Sequence, residues 1–201
     1  MLCAVSGPQS CGKSTVLNTL RDMGYPVIAR KTSRSILADW GVTLSQVNND
    51  RDLTVPFQQE ILKRKIADEQ QAASSSDIWF TERTFADLHV YNVVSLGKDN
   101  DYSSFIDHYY DDCVVAQRTY SHIFYITGGH FAPVHDGVRG SNQHYNKMVD
   151  LFMRSCTEQM SGNDLTIIDT PSPEDRIIQI QTVLAQKQYG ETNDRKYQTK
   201  I

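Results

Sequence analysis

The chain has 201 residues, of which 39% are hydrophobic and 22% are charged, and its 20 Lys and Arg against 24 Asp and Glu give a formal net charge of −4. These values are typical of one globular domain and exclude the collagen-like and intrinsically disordered classes. A dedicated duplex-binding protein is usually basic, so the net charge counts against that role. No segment approaches the roughly 18 apolar residues of a membrane helix, and the opening MLCAVSG lacks the basic start of a secretory signal.

The four cysteines are Cys3, Cys11, Cys113 and Cys156. They form no CxxC pair, and the spacing of the first two is too wide for a zinc knuckle. We therefore expect free thiols and a protein of the reducing cytoplasm.

Short apolar runs alternate along the chain with amphipathic ones, which is the pattern of an α/β protein. The expected strands are residues 2–6, 26–29, 77–81, 122–127 and 164–168. The expected helices are residues 13–23, 31–40, 56–73, 85–96, 104–117, 143–160 and 173–188. Five apolar strands with helices between them predict a doubly wound parallel sheet with helices on both faces. Residues 1–190 would form this single domain, and residues 191–201 a polar tail.

Residues 7–14, GPQSCGKS, match the pattern GxxxxGK[ST] between the first strand and the first helix. In such a loop the backbone N–H groups and the positive end of the helix converge on phosphate oxygens. We expect Lys13 on the β- and γ-phosphates and the Ser14 hydroxyl on Mg²⁺, which prefers oxygen ligands. The predicted cofactors are therefore Mg²⁺ and ATP or GTP, with ATP preferred. The expected nucleotide-binding residues of this loop are Gly7, Ser10, Cys11, Gly12, Lys13, Ser14 and Thr15.

The third expected strand runs into Thr81-Glu82-Arg83-Thr84. Ligands of open α/β sheets bind beyond the carboxyl ends of the strands, so Glu82 and Arg83 belong to the candidate site. Glu82 would hold a metal-bound water or take the acceptor proton, and the planar guanidinium of Arg83 would grip an acceptor phosphate. Asp87 would either support Arg83 or place a favourable charge in the first turn of the next helix.

The loop after the second expected strand carries Arg30, Lys31 and Arg34 within five positions. Three cations beyond the end of a strand indicate an anionic acceptor, although a plain charged helix face gives the same pattern.

Residues 128–141, GGHFAPVHDGVRGS, form a glycine-punctuated loop. Such loops close over phosphates and exclude water, so Arg139 is the candidate to neutralise charge on the transferred group. The histidines of the loop match no regular metal-binding spacing, and we expect no zinc site. Thr170 and Pro171 follow the fifth expected strand, where we expect the nucleotide base.

The stretches 7–14, 81–87 and 136–141 together resemble the P-loop nucleoside and nucleotide kinases. The resemblance is closest to the bacteriophage deoxynucleoside monophosphate kinases and to the kinase part of nicotinamide-riboside kinases. It implies a three-layer P-loop NTPase fold with a short lid at about 128–141. It also implies that Glu82 serves the metal, that Arg83 binds the acceptor phosphate and that Arg139 is the lid arginine. Together with Lys13 of the loop, Glu82 and Arg139 are the expected catalytic residues.

Many proteins of that group have a carboxylate near the end of the second strand, whereas residues 28–34 of this chain are basic. Added cations favour an acceptor that carries its own phosphate. The leading hypothesis is therefore ATP-dependent phosphorylation of a (deoxy)nucleoside monophosphate. Two alternatives stay open, a kinase acting on a hydroxymethylated base in phage DNA and an NTP-driven switch without a small acceptor.

The expected partner is a small nucleotide acceptor. Nucleic acid is a less favoured partner, and no membrane partner is expected. The sequence leaves open whether the protein is a monomer or a homodimer. For a phage-encoded protein, the expected compartment is the cytoplasm of the host cell.

Overall fold

The computed structural model describes residues 1–28, 32–131, 142–161 and 164–198, with the backbone alone for 189–198. In these residues the chain forms four strands and eight α-helices. The strands are β1 (Leu2–Ser6), β2 (Trp79–Glu82), β3 (His122–Ile126) and β4 (Leu165–Ile168). The helices are α1 (Lys13–Asp22), α2 (Thr32–Trp40), α3 (Leu44–Asn49), α4 (Arg51–Ala73), α5 (Phe85–Leu96), α6 (Ser103–Gln117), α7 (Gln143–Ser161) and α8 (Pro173–Gln198).

The strands form one parallel sheet in the order β2-β1-β3-β4. The central strand β1 is buried along its whole length and pairs Val5 with Glu82 on one side and Ser6 with Tyr125 on the other. Because the strands are parallel, the segments that follow all four of them leave the sheet at the same edge.

Helices cover both faces of the sheet, as the alternation of side chains along β1 shows. Cys3 and Val5 pack in a core with residues of α1 and α8. Leu2 and Ala4 point to the opposite face and pack with residues of α4, α5 and α6. This period of two follows from the pleat of a strand and gives the three layers that the sequence predicts.

The prediction of the second expected strand, 26–29, is wrong in its described residues 26–28, because Val27 makes only an isolated parallel bridge to Phe80; residue 29 lies outside the described residues. The N–H of Phe80 donates to the carbonyl of Pro26, and the N–H of Ile28 donates to the carbonyl of Phe80, both at 2.9 Å. The next ladder bond toward the N-terminus would need an N–H at position 26, which proline lacks.

The predicted start of α4 at Pro56 is also wrong. The helix begins at Arg51, where the carboxylate of Asp50 accepts a hydrogen bond from the N–H of Asp52 at 2.9 Å. An acidic N-cap of this kind satisfies a free donor of the first turn and competes successfully with proline as the start of a helix. Pro56 therefore lies inside α4.

Two further differences concern helix extent. Helix α3 was not predicted, and it is held by a capping box in which the side chains of Thr43 and Gln46 bond each other's backbone N–H groups. Helix α8 continues beyond residue 188 to Gln198, through most of the segment expected to be a polar tail.

The four cysteines are free thiols, and all of them are buried. Burial raises the pKa of the Cys156 thiol to about 11, so this side chain behaves as an apolar core residue rather than as a nucleophile. In the described part of the chain, no helix is both long and apolar enough to cross a membrane.

Candidate nucleotide and acceptor site

The loop between β1 and α1 is pressed against the end of β3. Gly7 has φ +134°, and a Cβ atom there would lie 2.2 Å from the carbonyl oxygen of Ile126. Gly12, the N-cap of α1, has φ +95°. Since both positions need left-handed backbone, and the first also needs the absence of a Cβ, the glycines of the motif are required by geometry.

Lys13 closes over this loop from the first turn of α1. Its side chain is buried, and Nζ donates to the carbonyls of Gly7 at 2.8 Å and Pro8 at 2.6 Å. No carboxylate of the described residues forms an ion pair with it. The ammonium is thus held at the loop by neutral carbonyl oxygens, and a bound phosphate could replace these contacts. Ser14 and Thr15 are exposed on the same turn.

Glu82 and Arg83 leave the sheet beside the loop, because β2 is the direct neighbour of β1. The N–H of Arg83 donates to the carbonyl of Val5 at 2.9 Å, two residues before the loop begins. Arg83 has φ +69°, a left-handed conformation that is strained for a residue with a side chain. The structure therefore brings these two predicted site residues next to the predicted phosphate loop.

The guanidinium of Arg83 is held by Tyr91, two turns into α5. Nη1 donates to the Tyr91 hydroxyl at 3.1 Å, and Cζ lies 4.9 Å from the centre of the ring. Burial acts to lower the pKa of Arg83, but Tyr91, Asp87 and Glu82 act in the opposite direction and leave that pKa raised. The arginine is therefore a fixed cation.

Asp87 is fully buried and joins β1 to α5. It accepts hydrogen bonds from the Ser6 hydroxyl at 2.6 Å and from the N–H of Thr84 at 3.2 Å, the second within a capping box. In the described residues no hydrogen bond joins it to the guanidinium of Arg83. Asp87 thus takes part in the cap of α5 and binds the end of β1. Its negative charge acts on Arg83 at a distance and helps to raise the pKa of that arginine.

A small polar cavity of about 30 Å³ opens beside Glu82. Its lining residues are Ile28, Thr32, Lys65, Asp68, Glu69, Thr81 and Glu82. Inside it Lys65 Nζ lies 2.5 Å from Glu69 Oε1, and the Tyr120 hydroxyl donates to Glu69 Oε2 at 2.8 Å. Sequence reasoning missed this pair, although Lys65 and Glu69 are four residues apart on the face of α4 that also carries Ile61 and Leu62.

Of the remaining predicted site cations, the structure describes only Arg34. Arg34 is exposed on α2. Arg30, Lys31 and Arg139 lie outside the described residues, as does most of the loop 128–141 that was predicted to be a lid.

Thr170 and Pro171 follow β4, as expected. The carbonyl of Thr170 accepts a hydrogen bond from Arg176 Nε at 2.8 Å, and Nη1 of the same arginine donates to the carbonyl of Cys11 at 2.5 Å. Arg176 therefore links residues 170–171, where we expect the nucleotide base, to the predicted phosphate loop by two hydrogen bonds. No sequence pattern marks that arginine, which is one of several charged residues in the first turns of α8.

Many solved structures resemble this chain, and the following three are each less than 20% identical to it. Deoxyadenosine kinase from M. mycoides with bound dATP is 17% identical with a TM-score of 0.69, over 92% of this chain and 100% of that one. NadR protein in complex with NR is 16% identical with a TM-score of 0.61, over 84% of this chain and 45% of that one. Shikimate kinase from Aquifex aeolicus is 14% identical with a TM-score of 0.53, over 94% of this chain and 99% of that one.

The parallel sheet, the loop at the end of β1 and these likenesses define a P-loop kinase fold. A family model described as an AAA domain matches residues 2–176, and the chain belongs to that family. No curated protein matches the chain.

Proposed function

We propose that the protein is an ATP-dependent phosphotransferase whose acceptor is a (deoxy)nucleoside monophosphate. The observation that carries this proposal is the adjacency of two groups at one edge of the sheet. The predicted phosphate loop follows β1, Glu82 is the last residue of β2 and Arg83 follows it, with Val5 paired to Glu82 and hydrogen-bonded to Arg83. A nucleotide in the loop would present its γ-phosphate toward a fixed arginine and a carboxylate.

The donor half of this site consists of the loop N–H groups and Lys13. The ammonium of Lys13 would leave the carbonyls of Gly7 and Pro8 for the β- and γ-phosphates. The exposed Ser14 hydroxyl and the Glu82 carboxylate, which accepts no hydrogen bond within the described residues, are hard oxygen donors of the type that Mg²⁺ prefers. When bound, Mg²⁺ would neutralise phosphate charge and polarise the phosphorus–oxygen bonds.

The acceptor half is centred on Arg83, whose planar guanidinium matches two oxygens of a phosphate. An oxygen of the acceptor phosphate would attack the γ-phosphorus in line, while the bond to the bridging oxygen of ADP breaks. Catalysis of this kind consists mainly of positioning and of neutralising charge. We assign Arg139 the second role and Glu82 either the metal or the acceptor proton.

A nucleoside is the second candidate acceptor. The likeness to deoxyadenosine kinase favours it, and so does the carboxylate of Glu82, which could take the proton of an attacking hydroxyl. Under this alternative Arg83 would contact a hydroxyl instead of a phosphate.

The experiment that tests the proposal incubates the protein with ATP labelled at the γ-phosphate, Mg²⁺ and separate acceptors. The acceptors are the mononucleotides, the corresponding nucleosides and DNA containing hydroxymethylated bases. Label on a diphosphate supports the leading proposal, and label on a monophosphate supports the nucleoside alternative. Label on DNA, or release of inorganic phosphate alone, contradicts both.

A further inference from the structure

Arg176 lies where three segments meet at the carboxyl edge of the sheet. Its side chain is only 1% exposed, although it belongs to the second turn of a surface helix. Nε donates to the carbonyl of Thr170, Nη1 donates to the carbonyl of Cys11, and Cζ lies 5.4 Å from the centre of the Phe131 ring. The guanidinium is thus fixed behind the phosphate loop.

The charge of Arg176 is not neutralised by a carboxylate in the described residues. Burial lowers the pKa of Arg176, and Nη2 is buried with no hydrogen-bond partner. Burying a cation without an anion costs free energy, so the fold places here a positive charge that an arriving anion would satisfy. The nearest part of the site that is built to receive an anion is the phosphate loop.

The contact with Cys11 has a directional consequence. The peptide bonds of the described residues are all trans, and the C=O and N–H groups of a trans peptide point in opposite directions. Because Arg176 holds the Cys11 carbonyl on its own side of the loop, the N–H of Gly12 points to the opposite side, where the proposed phosphates would lie. A hydrogen bond from a cation also polarises the peptide and strengthens this N–H as a donor.

We propose that Arg176 is a positioning residue of the phosphate loop, which orients the Gly12 N–H and adds positive charge behind the bound polyphosphate. This inference rests on the proposed function, because it takes the loop as the site of the donor nucleotide. The tight packing at Gly12 supports it, since a Cβ there would lie 2.6 Å from Arg176 Nη1.

The test measures the binding of inorganic tripolyphosphate and of ATP by calorimetry, for the wild type, R176Q and R176K. We expect R176Q to bind both ligands at least about tenfold more weakly, the loss typical of one charge-assisted hydrogen bond. R176K should fall between R176Q and the wild type, because one ammonium cannot bridge both carbonyls in the fixed fork of a guanidinium. The control is R154Q, which removes the same charge from the exposed surface of α7 and should bind like the wild type.

A purely structural role for Arg176 would lower the melting temperature of the free protein and leave both affinities unchanged, and that result would overturn the inference. Weaker binding of ATP with normal binding of tripolyphosphate would place Arg176 at the base and would also overturn it. If R176Q does not fold, the R176K variant tests the inference. An R176K variant that binds tripolyphosphate as tightly as the wild type would then contradict it. A wild type that binds neither ligand would instead refute the proposed function.

Discussion

Arg83 stacks its guanidinium on the ring of Tyr91, with Cζ 4.9 Å from the ring centre, and donates a hydrogen bond to the Tyr91 hydroxyl at 3.1 Å. The backbone of the arginine is held in a left-handed conformation at the end of β2, and its side chain is held by α5. A cation fixed at both ends loses little conformational entropy when it binds an anion, which is what an acceptor site requires.

The first prediction concerns this contact. Tyr91→Leu removes both the ring and the hydroxyl, so we expect the KM for the acceptor to rise about tenfold, the combined worth of one hydrogen bond and one cation–π contact. Tyr91→Phe keeps the ring and should show a smaller rise. Steady-state kinetics with varied acceptor and varied ATP check both, and the KM for ATP should stay constant.

The control is Tyr25→Phe, since the Tyr25 ring packs on Phe80 instead. An effect on ATP equal to that on the acceptor would contradict this role.

The second prediction compares two glycines with positive φ. Gly7→Ala puts a Cβ atom 2.2 Å from a backbone carbonyl, whereas at Gly24 nothing lies within 4 Å. Gly24→Ala should cost only the left-handed strain, about 1 kcal/mol of the free energy of unfolding. Gly7→Ala must also displace the loop from β3, so it should cost clearly more and abolish ATP binding. Urea unfolding and calorimetry check this pair, and equal costs would show that the contact with Ile126 is unimportant.

The third prediction concerns the buried ion pair of Lys65 and Glu69. Lys65→Met leaves the carboxylate of Glu69 buried without its cation, which typically costs about 3 to 5 kcal/mol. The matched control is Lys63→Met two residues away, where the side chain is 80% exposed and the expected change is near zero. Urea unfolding of both variants measures the difference. Similar stabilities for the two would mean that the pair does not stabilise the fold.

The fourth prediction is a pH dependence of stability. Burial, with help from the ammonium of Lys187 and against the opposing charge of Asp164, lowers the pKa of His122 from 6.5 to about 4. Between these values the unfolded chain binds more protons than the folded one, so the free energy of unfolding rises with pH. This contribution is complete above about pH 6.5 and is lost as the pH falls toward 4, at most about 3 kcal/mol.

Urea unfolding of the wild type and of His122→Gln across this range checks the prediction. The variant can keep a hydrogen bond to Thr166, which lies 2.8 Å from His122 Nε2, and it should show a flatter pH profile. The control His108→Gln changes an exposed histidine and should keep the wild-type profile. A profile of His122→Gln as steep as that of the wild type would contradict the assignment.

The sequence predicted the local features of this fold well where a strong signal was present. The glycine-rich motif correctly predicted a glycine turn between a strand and a helix, here β1 and α1, and helix 85–96 has the expected bounds because Thr84 caps its start. The prediction of a strand at 26–29 was wrong because Pro26 lacks the N–H that the next ladder bond needs. The predicted start of α4 was wrong because the Asp50 cap outweighs Pro56. Both failures follow from competition between local signals.

The candidate site was predictable only in part. Glu82 and Arg83 could be placed because parallel strands end at one edge. Tyr91 and Arg176 could not, because each reaches its partner only after tertiary packing, and a single tyrosine or arginine in an amphipathic helix has no distinguishing pattern. The arrangement of α5 and α8 around the sheet creates their contacts.

The central claim is that the loop of residues 7–14 binds the triphosphate of the donor. The most direct measurement is a crystal structure of the protein with a non-hydrolysable ATP analogue and Mg²⁺. The account predicts that Lys13 Nζ leaves the carbonyls of Gly7 and Pro8 and lies on the β- and γ-phosphates. A triphosphate bound elsewhere, with Lys13 still on those two carbonyls, would contradict it.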